Sequence, residues 1–269
     1  MGTPPGEEVA RRLRAAGCVF AEDEAEILLA SARSPDELEE LVRRRAEGQP
    51  LEQVVGWADF CGLRILLEPG VFVPRRRTEL MVREAVALAR GLGHVPVVVD
   101  LCCGSGALGL AVVAALDAAR LHAADVDAAA VRCARSNIGT RGTVYEGDLD
   151  APLPAALRGR VDVLLANVPY VPTQEIALLP GEARLHEPSV ALDGGHDGLR
   201  VLARVAALAT RWLTPTGSVL VETSERQAPT AVALIEAEGL AARTATDDDL
   251  GATVVLGRVG VPSASDEGA

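Results

Sequence analysis

The four residues Asn167-Val168-Pro169-Tyr170 carry the most distinctive chemistry in this sequence. They follow Leu164-Leu165-Ala166, an apolar run that reads as a buried strand. Proline has no N–H to give to a ladder, so the chain leaves the sheet at Asn167 with a stiffened backbone. The Asn167 side-chain oxygen and the Val168 carbonyl can each accept one N–H from a planar –NH2 group. Pro169 restricts Val168 to extended angles and so holds that carbonyl in place. Tyr170 offers an aromatic wall to a flat group. An amide or aniline-like nitrogen is a weak nucleophile, because its lone pair is delocalised. Two fixed acceptors stabilise the positive charge that develops on it during a displacement.

A second constellation is Asp100 followed by Gly104-x-Gly106-x-x-Gly109, after a β-branched run and before an Ala-rich helix. The glycine spacing fits a dinucleotide fingerprint, with Asp125 placed where an acid could take a ribose hydroxyl. The carboxylates argue against a pyrophosphate. Asp100, Asp125, Asp127 and Asp148 all fall at strand ends, where ligands bind in such folds, and the loop holds no Lys or Arg. S-adenosylmethionine (SAM) suits this rim better. Its ammonium and sulfonium favour Asp100, its ribose diol can take two hydrogen bonds from Asp125, and its adenine amine can reach Asp148.

The elements that must position these groups are legible as patterns. Residues Glu7 to Ala46 show apolar positions at helical spacing, with Ser34-Pro35-Asp36-Glu37 as a helix start. Short extended runs, Leu63–Leu67 and Val71–Val73, flank Pro69-Gly70 and read as a hairpin or connecting strands. A helix follows from Thr78 to Arg90. From Val95 onward strands alternate with helices, which implies a parallel sheet. The stretch from Pro169 to Gly198 has no clear period and is long enough to be functional.

Composition bounds the rest. Hydrophobic residues make up 49% of 269 and aromatics 3%, so the core is built of Ala, Val and Leu. A formal charge of −12 repels phosphate backbones and disfavours nucleic acid as a partner. Five cysteines without paired spacing read as reduced buried thiols, with no zinc site. The acidic, amphipathic start does not read as a signal peptide, and the longest apolar run, Ala107 to Leu116, is too short for a membrane span. The expected location is the cytoplasm.

Taken together, the segments GVFVPRRRTEL, VVVDLCCGSGALGL, DVDAAAVRCARSN, EGDL, LLANVPY, HEPSVALDGGHDGL and SVLVETSERQ resemble the protein-(glutamine-N5) methyltransferases that modify peptide-chain release factors. The resemblance covers nearly the whole chain. It implies a Rossmann-like, mostly parallel seven-stranded sheet behind a small helical N-terminal domain. The expected divisions are a docking domain over 1–52, a hairpin linker over 53–76, a SAM-dependent catalytic domain over 77–259 and a disordered tail over 260–269. The implied substrate is the glutamine amide of a Gly-Gly-Gln tripeptide, held by Asn167 and the Val168 carbonyl beside Pro169 and Tyr170. The implied SAM-binding residues are Cys102, Cys103, Gly104, Ser105, Gly106, Asp125, Val126, Leu149 and Asn167, to which the charge pattern adds Asp100 and Asp148.

Three departures stand out. The family's N-P-P-Y is N-V-P-Y here, two cysteines replace a glycine and a small polar residue in the loop, and P-R-P-E-T-E becomes PRRRTE. Arg75, Arg76 and Arg77 could form a docking patch for an acidic partner or a solvated turn. Glu187-Pro188 could orient or merely shape the substrate loop, and Glu222 and Gln227 could cap the cleft. The same N-x-P-Y chemistry would serve amino groups on nucleic-acid bases, and a non-catalytic SAM-binding module is the remaining alternative.

Overall fold

The computed structural model describes residues 5–260. Residues 261–269, most of the expected tail, lie outside the described residues. Four helices come first: α1 (Pro5–Ala15), α2 (Ala21–Ser31), α3 (Pro35–Ala46) and α4 (Leu51–Val55). They close on their own apolar cluster around Leu13, Leu28 and Val42. The start of α3 is as expected: Pro35 occupies the first turn, and Ser34 Oγ accepts the Glu37 N–H at 3.2 Å. The buried Arg45 of α3 is held by Glu24 of α2 at 2.6 Å and by Glu182 at 2.7 Å. That second contact ties the helices to the irregular stretch beyond Pro169.

A hairpin follows, β1 (Trp57–Phe60) paired antiparallel with β2 (Leu63–Leu66). Its turn is at Cys61-Gly62, not at Pro69-Gly70 as the sequence pattern implied. Both turn residues have positive φ, 51° and 72°, the backbone a two-residue hairpin turn requires. Cysteine is an unusual residue for that backbone, which is why the turn is hard to read in advance.

The larger sheet has seven strands: β3 (Val97–Leu101), β4 (Arg120–Asp125), β5 (Gly142–Glu146), β6 (Val161–Ala166), β7 (Leu213–Glu222), β8 (Leu240–Asp247) and β9 (Ala252–Val259). Their spatial order is β5-β4-β3-β6-β7-β9-β8, parallel except for β9, which runs antiparallel to both neighbours. The helices are α5 (Glu79–Arg90), α6 (Ala107–Ala114), α7 (Ala128–Ile138), α8 (Gly181–His186), α9 (Ser189–Leu192), α10 (Arg200–Trp212) and α11 (Ala228–Ala237). Two apolar clusters cover the two faces of the sheet, one centred on Met81, Leu165 and Leu121, the other on Leu164, Leu202 and Trp212. β6 is buried at all six positions, its one charged residue, Asp162, accepting the Val97 N–H at 2.9 Å.

This order fixes the site. The strand order reverses at β3, whose neighbours are β4 and β6, and ligands bind at such a switch point beyond the carboxyl ends. Across β5, β4, β3, β6 and β7, those ends present Asp148, Asp125, Asp100, Asn167 and Glu222 in turn.

Candidate active site

A cavity of 510 Å³ opens over these strand ends. Its walls include the predicted Asp100, Cys102, Cys103, Gly104, Ser105, Asp125, Val126, Asp148, Leu149, Asn167, Val168, Pro169 and Tyr170. The structure therefore gathers residues spread over some 70 positions into one space. Of the predicted set only Gly106 is off the wall: it holds a left-handed backbone, φ 78°, at the start of α6, packed against Ile138. Phe60, Phe72 and Pro74 from the hairpin region close the opposite side.

The glycine loop is satisfied from within. Gly104 N–H donates to Asp125 Oδ2 at 2.8 Å, and Gly109 N–H donates to Asp100 Oδ2 at 2.8 Å. Gly106 N–H donates to the Cys103 carbonyl at 2.7 Å. All three glycine N–H groups of the fingerprint are thus taken by the protein's own oxygens, two of them carboxylates. A pyrophosphate needs those donors and would face those charges. A donor that is cationic and bears hydroxyls but no phosphate fits instead, and the residues present fit SAM.

The carboxylates differ in state. Burial raises Asp100 to about 7, against the Gly109 N–H, which lowers it, with Asp125 adding repulsion. Burial also raises Asp125, while the N–H groups of Asp127 and Gly104 pull it down. Asp125 Oδ1 accepts the Asp127 N–H at 2.9 Å, so each of its oxygens keeps one lone pair for a ligand. Asp148 is not free at the rim: Arg204 of α10 bridges it at 2.8 Å. Burial pushes the Cys102 and Cys103 thiols up, so both stay protonated and unreactive. Cys102 and Leu149 hold left-handed backbones, φ 56° and 49°.

At the other end, Asn167 Nδ2 donates to Thr78 Oγ1 at 3.2 Å. Asn167 Oδ1 and the Val168 carbonyl accept no hydrogen bond among the described residues. Val168, where the resembling family has proline, is 2% exposed and packs in the cluster that contains Leu101 and Leu199. The substitution therefore trades backbone stiffness for apolar anchoring. The loop is braced from behind: Gln227 Nε2 donates to the Tyr170 carbonyl at 3.0 Å and to the Asp197 carbonyl at 2.8 Å. The DGGHDG turn packs on the same loop so closely that a Cβ at Gly198 would lie 2.2 Å from the Tyr170 carbonyl oxygen.

Glu222 and Gln227 do not cap the cleft; both are buried behind its wall. Two members of the basic triplet are committed to buried carboxylates while staying partly exposed themselves. Arg75 pairs with Glu187 at 2.5 Å, Arg77 with Glu222 at 3.0 Å, and Arg76 is the most exposed of the three. Thr78 escaped sequence reasoning altogether, since a lone threonine at a helix start reads as a cap.

Fold, cavity and donor set together define a SAM-dependent methyltransferase. The methyltransferase small domain family matches residues 63–195. A methyltransferase structure from Pyrococcus furiosus superposes with a TM-score of 0.52 at 16% identity, over 74% of this chain and 90% of that one. A release factor glutamine methyltransferase of Geobacter sulfurreducens is 36% identical over 82% of this chain and 77% of its own. A 4-amino-L-phenylalanine/4-methylamino-L-phenylalanine methyltransferase of Streptomyces pristinaespiralis is also 36% identical, over 85% and 79%. The chain belongs to the release factor glutamine methyltransferase family.

Proposed function

We propose that this enzyme methylates the side-chain amide nitrogen of a protein glutamine, that of the Gly-Gly-Gln tripeptide in a peptide-chain release factor. The observation that carries this reading is the pair of unengaged acceptors, Asn167 Oδ1 and the Val168 carbonyl, adjacent on the cavity wall. Two acceptors side by side match the two hydrogens of a planar carboxamide. No helix among the described residues is long and apolar enough to cross a membrane, and a release factor substrate would place the enzyme in the cytoplasm.

Asp125 would hold the ribose diol of SAM and Asp100 its cationic end, with Leu149 and Val126, on the same wall, contributing apolar surface. SAM bound there supplies an electrophilic methyl on a sulfonium. Asn167 Oδ1 and the Val168 carbonyl each accept one amide N–H and turn the nitrogen's face toward that methyl. Tyr170 supports the flat group. As the nitrogen gains positive charge, the two oxygens stabilise it without reorganising. Fixing the nitrogen in line supplies further rate, up to about 7–11 kcal/mol in favourable systems. The proton leaves afterwards, so no strong base is needed before attack. Residues 1–52 serve as the docking domain, 53–76 as a hairpin linker and 77–259 as the catalytic domain.

The test is transfer of labelled methyl to a release factor, to the same factor with Gln→Ala in its tripeptide, to nucleic acid and to 4-amino-L-phenylalanine. Label that requires the glutamine is the expected result. Label in nucleic acid or in the arylamine, with none in the factor, would replace the substrate. No label anywhere despite measured SAM binding would make the chain a non-catalytic module.

A further inference from the structure

We infer that Thr78 and Glu222 are positioning residues that set which way round the Asn167 amide sits; this rests on the acceptor role given to Asn167 above. The oxygen and nitrogen of an asparagine amide are nearly the same shape. Turned over, Asn167 would present N–H groups to a substrate that itself offers N–H groups, and binding would become repulsion. Something must hold the orientation, and the structure shows a hydrogen-bond relay with only one consistent polarity.

The relay starts at the end of β7. Glu222 is 1% exposed. Its Oε1 accepts from Arg77 Nε at 3.0 Å and from the Tyr170 hydroxyl at 3.1 Å. Its Oε2 accepts from the Thr78 hydroxyl at 2.5 Å. A carboxylate paired with a guanidinium offers only lone pairs, so the single hydroxyl hydrogen of Thr78 is committed to it. Thr78, 3% exposed, is left with lone pairs alone for its other neighbour. The Asn167 group 3.2 Å away must therefore be the N–H2 and not the oxygen. A planar amide then has its Oδ1 on the opposite side, free of partners among the described residues. The Arg77 charge thus dictates, through Glu222 and Thr78, the orientation of a side chain it does not touch. The same carboxylate takes the Tyr170 hydroxyl, so both members of the acceptor loop answer to one buried group.

Steady-state methyl transfer to the release factor, calorimetric SAM binding and 15N NMR of the side-chain amides test this together. Thr78→Val keeps the shape and removes the relay; kcat should fall at least about tenfold with the SAM Kd unchanged. Thr78→Ser restores the hydroxyl and should recover most of that rate. In Glu222→Gln the introduced oxygen stays on Arg77, which can only donate, with the Tyr170 hydroxyl donating to it as before. Its N–H2 then meets Thr78, which must accept there and donate to Asn167, turning that amide over. Its loss should equal or exceed that of Thr78→Val, and the double variant should lose no more than Thr78→Val alone, because the relay is already cut. The Asn167 amide resonance pair, assigned by its absence in Asn167→Ala, should shift in Thr78→Val and not in Thr78→Ser, whichever acceptor the enzyme uses. A kcat within twofold of the parent in Thr78→Val, an unmoved resonance pair, or a rate loss matched by lost SAM affinity would overturn the relay. If Asn167→Ala itself retained near-normal turnover, the reading of the site would fall instead.

Discussion

The two ends of the cavity are held by contacts of very different reach. At the SAM end the rim pair Asp148–Arg204 spans 56 residues, but the glycine loop is held locally: Gly109 returns nine residues to Asp100, Gly104 reaches 21 to Asp125, and Asp125 holds the N–H of Asp127 two residues on. At the acceptor end, Tyr170 meets Glu222 across 52 residues, Asn167 meets Thr78 across 89, and Arg77 meets Glu222 across 145. The glycine-loop set closes within one β3-α6-β4 unit. The second forms only when the start of α5, β6, β7 and the DGGHDG turn are all in place, with the larger loop-closure cost that implies. The two ends should therefore fail separately: damage to the acceptor end should remove turnover and spare SAM binding.

The sharpest attempt to break that separation is Gly198→Ala. The added Cβ would lie 2.2 Å from the Tyr170 carbonyl oxygen and 2.3 Å from Gln227 Nε2, at a backbone φ of +77° that L side chains rarely adopt. The Asn167-Tyr170 loop must shift. A displacement near 1 Å costs about 100-fold in rate. The expected outcome is a kcat reduced at least that far, with SAM affinity within about threefold of the parent by calorimetry. An equal loss of SAM affinity would show the two ends to be one unit.

The converse probe is Asp125→Ala. It removes the ribose acceptor and also frees the Gly104 and Asp127 N–H groups. Hydrogen bonds to charged groups contribute about 1.5–3 kcal/mol, so the SAM Kd should rise about 10- to 150-fold. The kcat at saturating SAM should hold, because nothing in the Asn167 relay touches Asp125. A collapse of kcat at saturation would mean that the short-range end also positions the acceptor.

The same difference in reach explains what the sequence made legible. The glycine spacing, Asp100 and Asp125 act within a couple of dozen residues, so a linear pattern carries them. Asn167 was recognisable because its prolines interrupt a buried run. Thr78 and the pairing of Arg75 and Arg77 with buried carboxylates were not, because each depends on a partner more than 80 positions away. The strand β8 is hard to read in sequence for a different reason. It lies at the sheet edge, only Leu240 is buried, and its LAARTATD composition is too polar and Ala-rich to stand out as a strand. The hairpin turn was misplaced because Pro69-Gly70 looks more like a turn than Cys61-Gly62 does.

Asp100 allows a finer test of the SAM end through pH. Its carboxyl rises from 3.8 to about 7 on folding, chiefly through burial. Below the unfolded value both states carry the proton and the stability linked to this group is fully present. Between the two values the unfolded chain ionises first, and that stability is lost as pH rises through 7. Asp100→Asn keeps an oxygen for the Gly109 N–H and abolishes the titration. It should melt above the parent at pH 8, with the gap closing toward pH 4. A cation in the cavity favours the ionised form, so the parent's SAM affinity should rise several-fold from pH 6 to pH 7.5 and that of Asp100→Asn should stay flat. A parallel rise in the variant would assign the dependence to another group.

Cys102 offers the smallest and most local perturbation. It lies on the cavity wall with φ 56°, in the left-handed region where a side chain costs roughly 1–2 kcal/mol and glycine costs little. Its thiol is raised by burial, so no nucleophilic or redox role competes with this backbone reading. Cys102→Gly relieves the strain but loosens the unfolded chain, which offsets part of the gain. The net expectation is about 1 kcal/mol of added stability, a melting temperature roughly 2–4 °C higher. Cys102 makes no hydrogen bond to Thr78, Glu222 or Asn167, so kcat should not follow. A destabilised variant would show that the side chain's packing beside Leu101 and Leu149 outweighs the backbone strain, and that the SAM end tolerates less change than its short-range construction implies.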